Sequence, residues 1–274
     1  MKAYMREVLG KAKQGNFAIP ATNFIDWNSA KAYVEMSEEL NLPLILAFAQ
    51  VHSPYLSLEE AASIGKYFQE KAKTPVVLHL DHGQDLAFIK KALQLGFNSV
   101  MIDASLDSFE ENVRKTKEVV EVAHEFGVDV EAEIGFVGAN GDVSKDEIKS
   151  IYTNVEDAEK FVQETNVDSL AVSIGTSHGL YKGIPKINFQ RLSELRNVLT
   201  IPLVLHGGSG SGDDNLNRCA REGISKINIY SDFMAAGAKS VTKKSFTNYI
   251  DVLKTSREGM KTILKHYYHV FETK

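Results

Sequence analysis

The sequence predicts an α/β protein built as a closed (β/α)8 TIM barrel. Two observations carry this reading. Eight short apolar runs alternate with amphipathic stretches along the 274 residues. The polar residues able to do chemistry gather at the C-terminal ends of those runs. A strand buried on both faces reads as a near-continuous apolar run, and alternation with helices makes the sheet parallel. Eight such units in this length fit a closed barrel better than an open doubly wound sheet. No GxGxxG or GxxxxGK[ST] follows any run, as a nucleotide-binding open sheet would require.

The predicted strands are Phe17–Thr22, Pro43–Ala47, Val76–Leu80, Ser99–Ile102, Val128–Glu133, Leu170–Ile174, Leu203–Leu205 and Lys226–Ile229. Three open at a proline or just after one (Pro43, Pro75, Pro202), where a missing N–H costs least. Helical spacing of apolar residues marks Ser57–Lys73, Asp85–Leu95, Ser108–Phe126, Val155–Glu164 and Asp213–Glu222. Gly96 and Gly127 stand where the helices before them end. No stretch rich in Pro, Gly or Ser divides the chain, so residues 1–274 are expected to form one domain.

Composition narrows the function. A formal net charge of −5 leaves no footprint for nucleic acid. One cysteine, Cys219, excludes an intrachain disulfide. No secretory signal and no apolar run near the roughly 20 residues of a membrane span are present, so a cytoplasmic protein with no membrane partner is expected.

In a barrel all strand C-terminal ends share the face where active sites sit. His82, His178 and His206 each lie beside a glycine at such an end. Imidazole suits Zn²⁺, and three protein ligands with an open fourth position make a catalytic site. The alternative is three separately hydrogen-bonded histidines. Gly207-Gly208-Ser209-Gly210 precedes a helix at the seventh strand end, a frequent barrel phosphate site, with Asn228–Ser231 opposite. The carboxylates Asp81, Asp103, Glu131 and Glu133 complete the set. Asp103 and Glu131 can pair with interior lysines or cap loops; Asp81, next to a histidine ligand candidate, suits proton transfer. His79 reads as an interior group, His52 as ambiguous, and His124, His266 and His269 as helix-surface or packing residues.

At these positions the chain resembles the class II fructose-bisphosphate/tagatose-bisphosphate aldolase family. The matching segments, in order, are LDHG (80–83), MIDAS (101–105), VEAEIG (130–135), GTSHGLYKG (175–183), LHGGSG (205–210) and KINIYSD (226–232). The resemblance implies that His82, His178 and His206 hold a catalytic Zn²⁺ and that Asp81 is the general acid/base. It implies a dihydroxyacetone-phosphate site made of Gly179, Gly207, Gly208, Ser209, Asn228, Ile229, Tyr230 and Ser231. Asn228 would orient the enediolate. Asp103 and Glu133 match positions that hold a second divalent or monovalent cation in some members, and Glu133 is the reserve for proton transfer. A phosphorylated ketose, cleaved to dihydroxyacetone phosphate and glyceraldehyde 3-phosphate, is the implied substrate, and a homodimer or homotetramer the implied assembly. No strand-end lysine offers a Schiff base.

The chain departs from the family pattern on the aldehyde side. Ala49 stands where a serine is common, His52 is unusual, and Gly138-Ala139-Asn140-Gly141-Asp142 replaces a Gly-Gly-Glu-Asp pattern. Arg257 is the one substitute found for the arginine that binds a distal phosphate. An aldolase releasing a different aldehyde, such as malonate semialdehyde, is therefore the alternative. A barrel metallohydrolase would show HxH after the first strand, which instead ends Ala21-Thr22-Asn23, and a non-catalytic sugar-phosphate binder would not need Asp81 and three histidines.

Overall fold

The computed structural model describes residues 1–135, 152–177, 183–243 and 245–274. Eight parallel strands close into a barrel in sequence order: β1 (Ile19–Asn23), β2 (Leu44–Ala49), β3 (Val76–Gly83), β4 (Ser99–Ile102), β5 (Asp129–Ile134), β6 (Ser169–Val172), β7 (Leu203–Leu205) and β8 (Ile224–Ile229). Closure comes from β1 pairing with β8, with Ala21 opposite Asn228. Among the described residues the helices are α1 (Met5–Gly15), α2 (Trp27–Leu40), α3 (Leu58–Lys71), α4 (Leu86–Leu95), α5 (Phe109–Glu125), α6 (Val155–Thr165), α7 (Phe189–Val198), α8 (Asp213–Glu222), α9 (Ser231–Thr242) and α10 (Tyr249–Val270). None is long and apolar enough to cross a membrane.

Local chemistry sets the helix ends. Asp26, Ser57, Asp85, Ser108 and Asn154 each accept a first-turn backbone N–H at the start of a helix. Gly96 takes a left-handed conformation after α4, at φ 100°.

Two apolar clusters divide the core. The larger lies between the strands' outer faces and the helix ring; it holds Leu46, Phe48, Leu78, Val100, Leu170 and Ile227. The smaller fills the N-terminal end of the barrel, where Ile19, Ala21, Ile45 and Val77 meet Met5, Val8, Leu9 and Ala12 of α1. Helix α1 was not foreseen. Its apolar residues follow the helical spacing, but the segment is rich in charge and short, and only the open barrel end gives its stripe something to bury against. With the lower interior largely apolar and plugged, apart from Asp129, which pairs with Arg6 of α1, the polar interior side chains concentrate in the upper layers, beneath the mouth.

Candidate active site

The upper interior is almost wholly polar. Strand alternation sends His79 and Asp81 of β3, Glu131 and Glu133 of β5, and Lys226 and Asn228 of β8 inward. Glu131 and Lys226 have no exposed surface, and the Lys226 ammonium lies 2.8 Å from both carboxylate oxygens. An uncompensated buried charge is expensive, so each residue stabilises the presence of the other. Glu131 Oε1 also lies 2.9 Å from His206 Nε2. Burial opposes ionisation of Glu131, but Lys226 and His206 outweigh it and lower its pKa to about 2. The interior-lysine partner left open by the sequence is thus Lys226, and it is partnered by Glu131.

Asp81 and His82 are consecutive, and in a regular strand their side chains would point to opposite faces. The β3–β4 register shifts between Leu80 and Gly83, and His82 has φ 47°, a left-handed conformation uncommon outside glycine. This irregularity brings both side chains to the cavity, where Asp81, His82 and His206 present ligand atoms within 4.8 Å of one another. The neighbouring cluster of His82, Asp103 and Glu133 meets the same limit.

The two histidines are oriented by carboxylates. His82 Nδ1 lies 2.8 Å from Asp103 Oδ2, whose other oxygen accepts from the Ser105 hydroxyl at 2.7 Å. The facing nitrogens, His82 Nε2 and His206 Nδ1, are 2.9 Å apart. When the outer nitrogens donate to Asp103 and Glu131, both facing nitrogens carry lone pairs. Two lone pairs at that distance repel unless a cation lies between them. The donor set therefore fits a metal ion. Burial disfavours a charged His82, but Asp81 and Asp103 outweigh it and raise its pKa to about 9.

Asp81 is buried, and both oxygens are held: Oδ2 by the Asn23 amide at 2.8 Å and Oδ1 by the Asn228 amide at 2.9 Å. Burial works against its charge, yet His82, Lys226 and His206 hold it well below the usual carboxylate range. Glu133 is the opposite case. Burial and then Asp103 push its pKa up to about 8, and its Oε2 has no hydrogen-bond partner among the described residues, with His206 Nδ1 3.7 Å away. Two buried carboxylates in one site thus sit on opposite sides of neutrality.

A cavity of about 440 Å³ opens above these groups, walled by Asn23, His52, Asp81, His82, Asp103, Gly207, Gly208, Ser209, Asn228, Tyr230 and Ser231 among others. Gly207 has φ 69°, and a Cβ there would fall 2.4 Å from the Ser177 carbonyl oxygen. At Gly208 it would fall 2.7 Å from Ile227 and 2.8 Å from the Asn228 carbonyl oxygen. The loop is narrower in donors than the glycine run implies. Gly208 N–H donates to Asn228 and Gly210 N–H to the Asp232 carboxylate. The Ser209 hydroxyl accepts from the backbone N–H groups of Tyr230 and Asp232 at the start of α9, a helix with no side-chain cap. Ser209 and Ser231 both line the cavity.

The family model for class II fructose-bisphosphate aldolase matches residues 3–274. The chain belongs to that family. Class II aldolases are metal-dependent carbon–carbon lyases, and the facing His82 and His206 imidazoles of this aldolase agree with that class. A crystal structure of the YdjI aldolase from Escherichia coli K12 superposes with a TM-score of 0.91 at 32% identity, covering 100% of this chain and 98% of that one. The fructose-bisphosphate aldolase of Campylobacter jejuni shares the fold, with a TM-score of 0.85 at 24% identity, over 99% of this chain and 95% of that one.

Of the aldolase residues expected from sequence, the structure gathers Asp81, His82, Asp103, Glu133, His206, Gly207, Gly208, Ser209, Asn228, Tyr230 and Ser231. Ile229 faces the outer core rather than the cavity. His178, Gly179 and the segment 138–142 lie outside the described residues. Arg257 is on α10, beside Glu35 of α2 at 3.5 Å, and does not line the cavity. The expected interior place of His79 is as found: its Nδ1 lies 2.8 Å from Ser99. His124 and His266 pair with Asp168 and Asp213 at the surface. The residue that sequence reasoning missed is Asn23. It stands at a strand end, the position that flagged every other residue of the site, but an isolated asparagine carries no chemical signature.

Proposed function

We propose that this protein is a zinc-dependent class II aldolase that reversibly cleaves a phosphorylated ketose to dihydroxyacetone phosphate and an aldehyde, with residues 1–274 acting as one domain. The observation that carries the proposal is the pair of imidazoles facing each other at 2.9 Å, each backed by a carboxylate, with the Asp81 carboxylate alongside. His82 and His206 would hold the metal, with His178 as third ligand from the family pattern. Imidazole donors suit Zn²⁺, which when bound supplies Lewis-acid stabilisation of the charge developing at the ketose carbonyl. Asp103 and Glu133 are the proposed holders of a second cation.

In cleavage the Asp81 carboxylate takes the C4 hydroxyl proton as the C3–C4 bond breaks; in condensation it returns that proton to the aldehyde oxygen. Its low pKa keeps it a base at neutral pH, and the Asn23 and Asn228 amides fix its orientation. Asn228 also faces the enediolate. Glu133, with its raised pKa, is a proton donor in reserve at the same face. Gly207, Gly208, Ser209, Tyr230 and Ser231, with Gly179, form the dihydroxyacetone-phosphate end.

Fructose or tagatose 1,6-bisphosphate gives glyceraldehyde 3-phosphate as the aldehyde. One observation favours a different aldehyde: among the described residues no lysine or arginine lines the cavity, and Arg257 is on the outer helix ring. Chelation tests the metal requirement. Activity releasing dihydroxyacetone phosphate should disappear after metal removal and return with Zn²⁺ or Co²⁺. Full activity in protein shown by elemental analysis to be metal-free would overturn the proposal.

A further inference from the structure

The wall of the cavity beyond Asp81 contains an imidazole that the aldolase mechanism does not use. His52 lies in a single 3₁₀ turn, Gln50–His52, that follows β2. Strands β2 and β3 run in register with Ala49 opposite Asp81, so His52 stands beyond Asp81 toward the barrel mouth. Asp81 faces the bond that breaks. The aldehyde's remaining carbons must extend from there toward the mouth, because the interior below is filled.

Packing holds the His52 ring. It stacks on Tyr230 with ring centroids 4.5 Å apart and an interplanar angle of 36°, and meets Phe48 edge-on at 6.5 Å. The residue is only 8% exposed, and Nδ1 is enclosed with no hydrogen-bond partner among the described residues. A buried polar atom left unpaired costs stability, and a site that retains one has hydrogen-bonding capacity reserved for something else. The charged side chains on this described wall are the carboxylates Asp81 and Asp103 with His82, and no lysine or arginine accompanies them. An anionic aldehyde tail would find no fixed counter-ion there.

We infer that His52, seated on Tyr230, is a specificity-determining residue that hydrogen-bonds a hydroxyl of an uncharged, hydroxylated aldehyde. This rests on the aldolase reading of the same site. The inference sets the substrate class as a ketose 1-phosphate whose distal end is a free hydroxylated chain.

The test uses the metal-loaded full-length enzyme with dihydroxyacetone phosphate and three aldehydes: glyceraldehyde, glyceraldehyde 3-phosphate and propionaldehyde, which lacks the hydroxyls. Exchange of the C3 proton of dihydroxyacetone phosphate into D2O, which needs no aldehyde, is followed separately by NMR. Wild type should prefer glyceraldehyde to both others. His52→Ala should lower kcat/KM for glyceraldehyde by about 10- to 100-fold, the range for one lost hydrogen bond that leaves a polar group unpaired. Its effect on propionaldehyde should be less than about 3-fold, with exchange and metal content retained, and His52→Gln should recover part of the loss. Equal losses for glyceraldehyde and propionaldehyde, no loss at all, or a wild-type preference for glyceraldehyde 3-phosphate would each overturn the inference. Wild-type protein with metal bound but no proton exchange would overturn the aldolase reading itself, and the inference with it.

Discussion

Lys226→Met tests the buried charge system under the metal site. The Lys226 ammonium has no exposed surface and contacts both Glu131 oxygens at 2.8 Å. Removing one partner of a buried pair leaves the other uncompensated, at a cost of about 3–5 kcal/mol. In a chain of this size each kcal/mol moves the melting temperature by roughly 2–4 °C, so a fall of roughly 6–20 °C is expected. Glu131→Leu combined with Lys226→Met removes both charges and should regain most of that loss, because replacing the whole pair with apolar groups is often neutral. The double variant nevertheless deprives His206 Nε2 of its acceptor at 2.9 Å. With the imidazole no longer fixed, metal affinity should fall about 10- to 100-fold. Thermal melts of the metal-free proteins and competition titrations with a chromophoric chelator read the two effects separately. A single variant melting within about 2 °C of wild type would refute the charge argument. A double variant binding metal at full strength would refute the orienting role of Glu131.

Two further outcomes are expected. Asp81→Asn should keep its metal and lower kcat by about 10²–10⁴-fold, as for loss of a general acid/base; a kcat near wild type in a metal-replete variant would move proton transfer to another group, Glu133 first. In the metal-free protein, His79 should contribute a stability that is lost with acid below pH 6.5. Burial, then Lys226, lowers the His79 pKa from 6.5 to about 3, so between those values the unfolded chain binds a proton that the folded chain refuses. The sign is a loss of stability as pH falls, about 2 kcal/mol from His79 alone between pH 6.5 and 5.0. His206, also lowered by burial, acts in the same direction. His82, with its pKa raised, contributes stability that is complete below pH 6.5 and fades only toward about 9, whereas Glu133, raised to about 8, gains stability as pH falls over the same range and offsets the histidine loss, so the His79 part is read by difference. Urea unfolding at the two pH values, compared between wild type and His79→Gln, measures the effect; wild type should lose more stability, or gain less, than the variant on acidification, and an identical pH dependence of the two would contradict it.

The sequence by itself determined the barrel and most of the site's membership. Near-continuous apolar runs and helical stripes of period 3.6 are local properties, and the rule that strand C-termini share one face turned scattered His82, His206, Asp103 and Gly207 into neighbours. Tertiary structure decided the pairings. Asn23 reaches Asp81 across 58 residues, Lys226 reaches Glu131 across 95, and Asn228 reaches Asp81 across 147. Such contacts depend on barrel closure and register, which no local pattern encodes. The irregularity at His82 belongs to the same class: it turns two adjacent residues toward one cavity, against the alternation that the sequence implies. Arg257 shows the converse, since its charge suited a phosphate but its helix packs against α2, which fixes it beside Glu35. Residue type and spacing state what chemistry a chain can perform, whereas closure of the sheet fixes which groups share a partner, because a hydrogen bond is decided over tenths of an ångström.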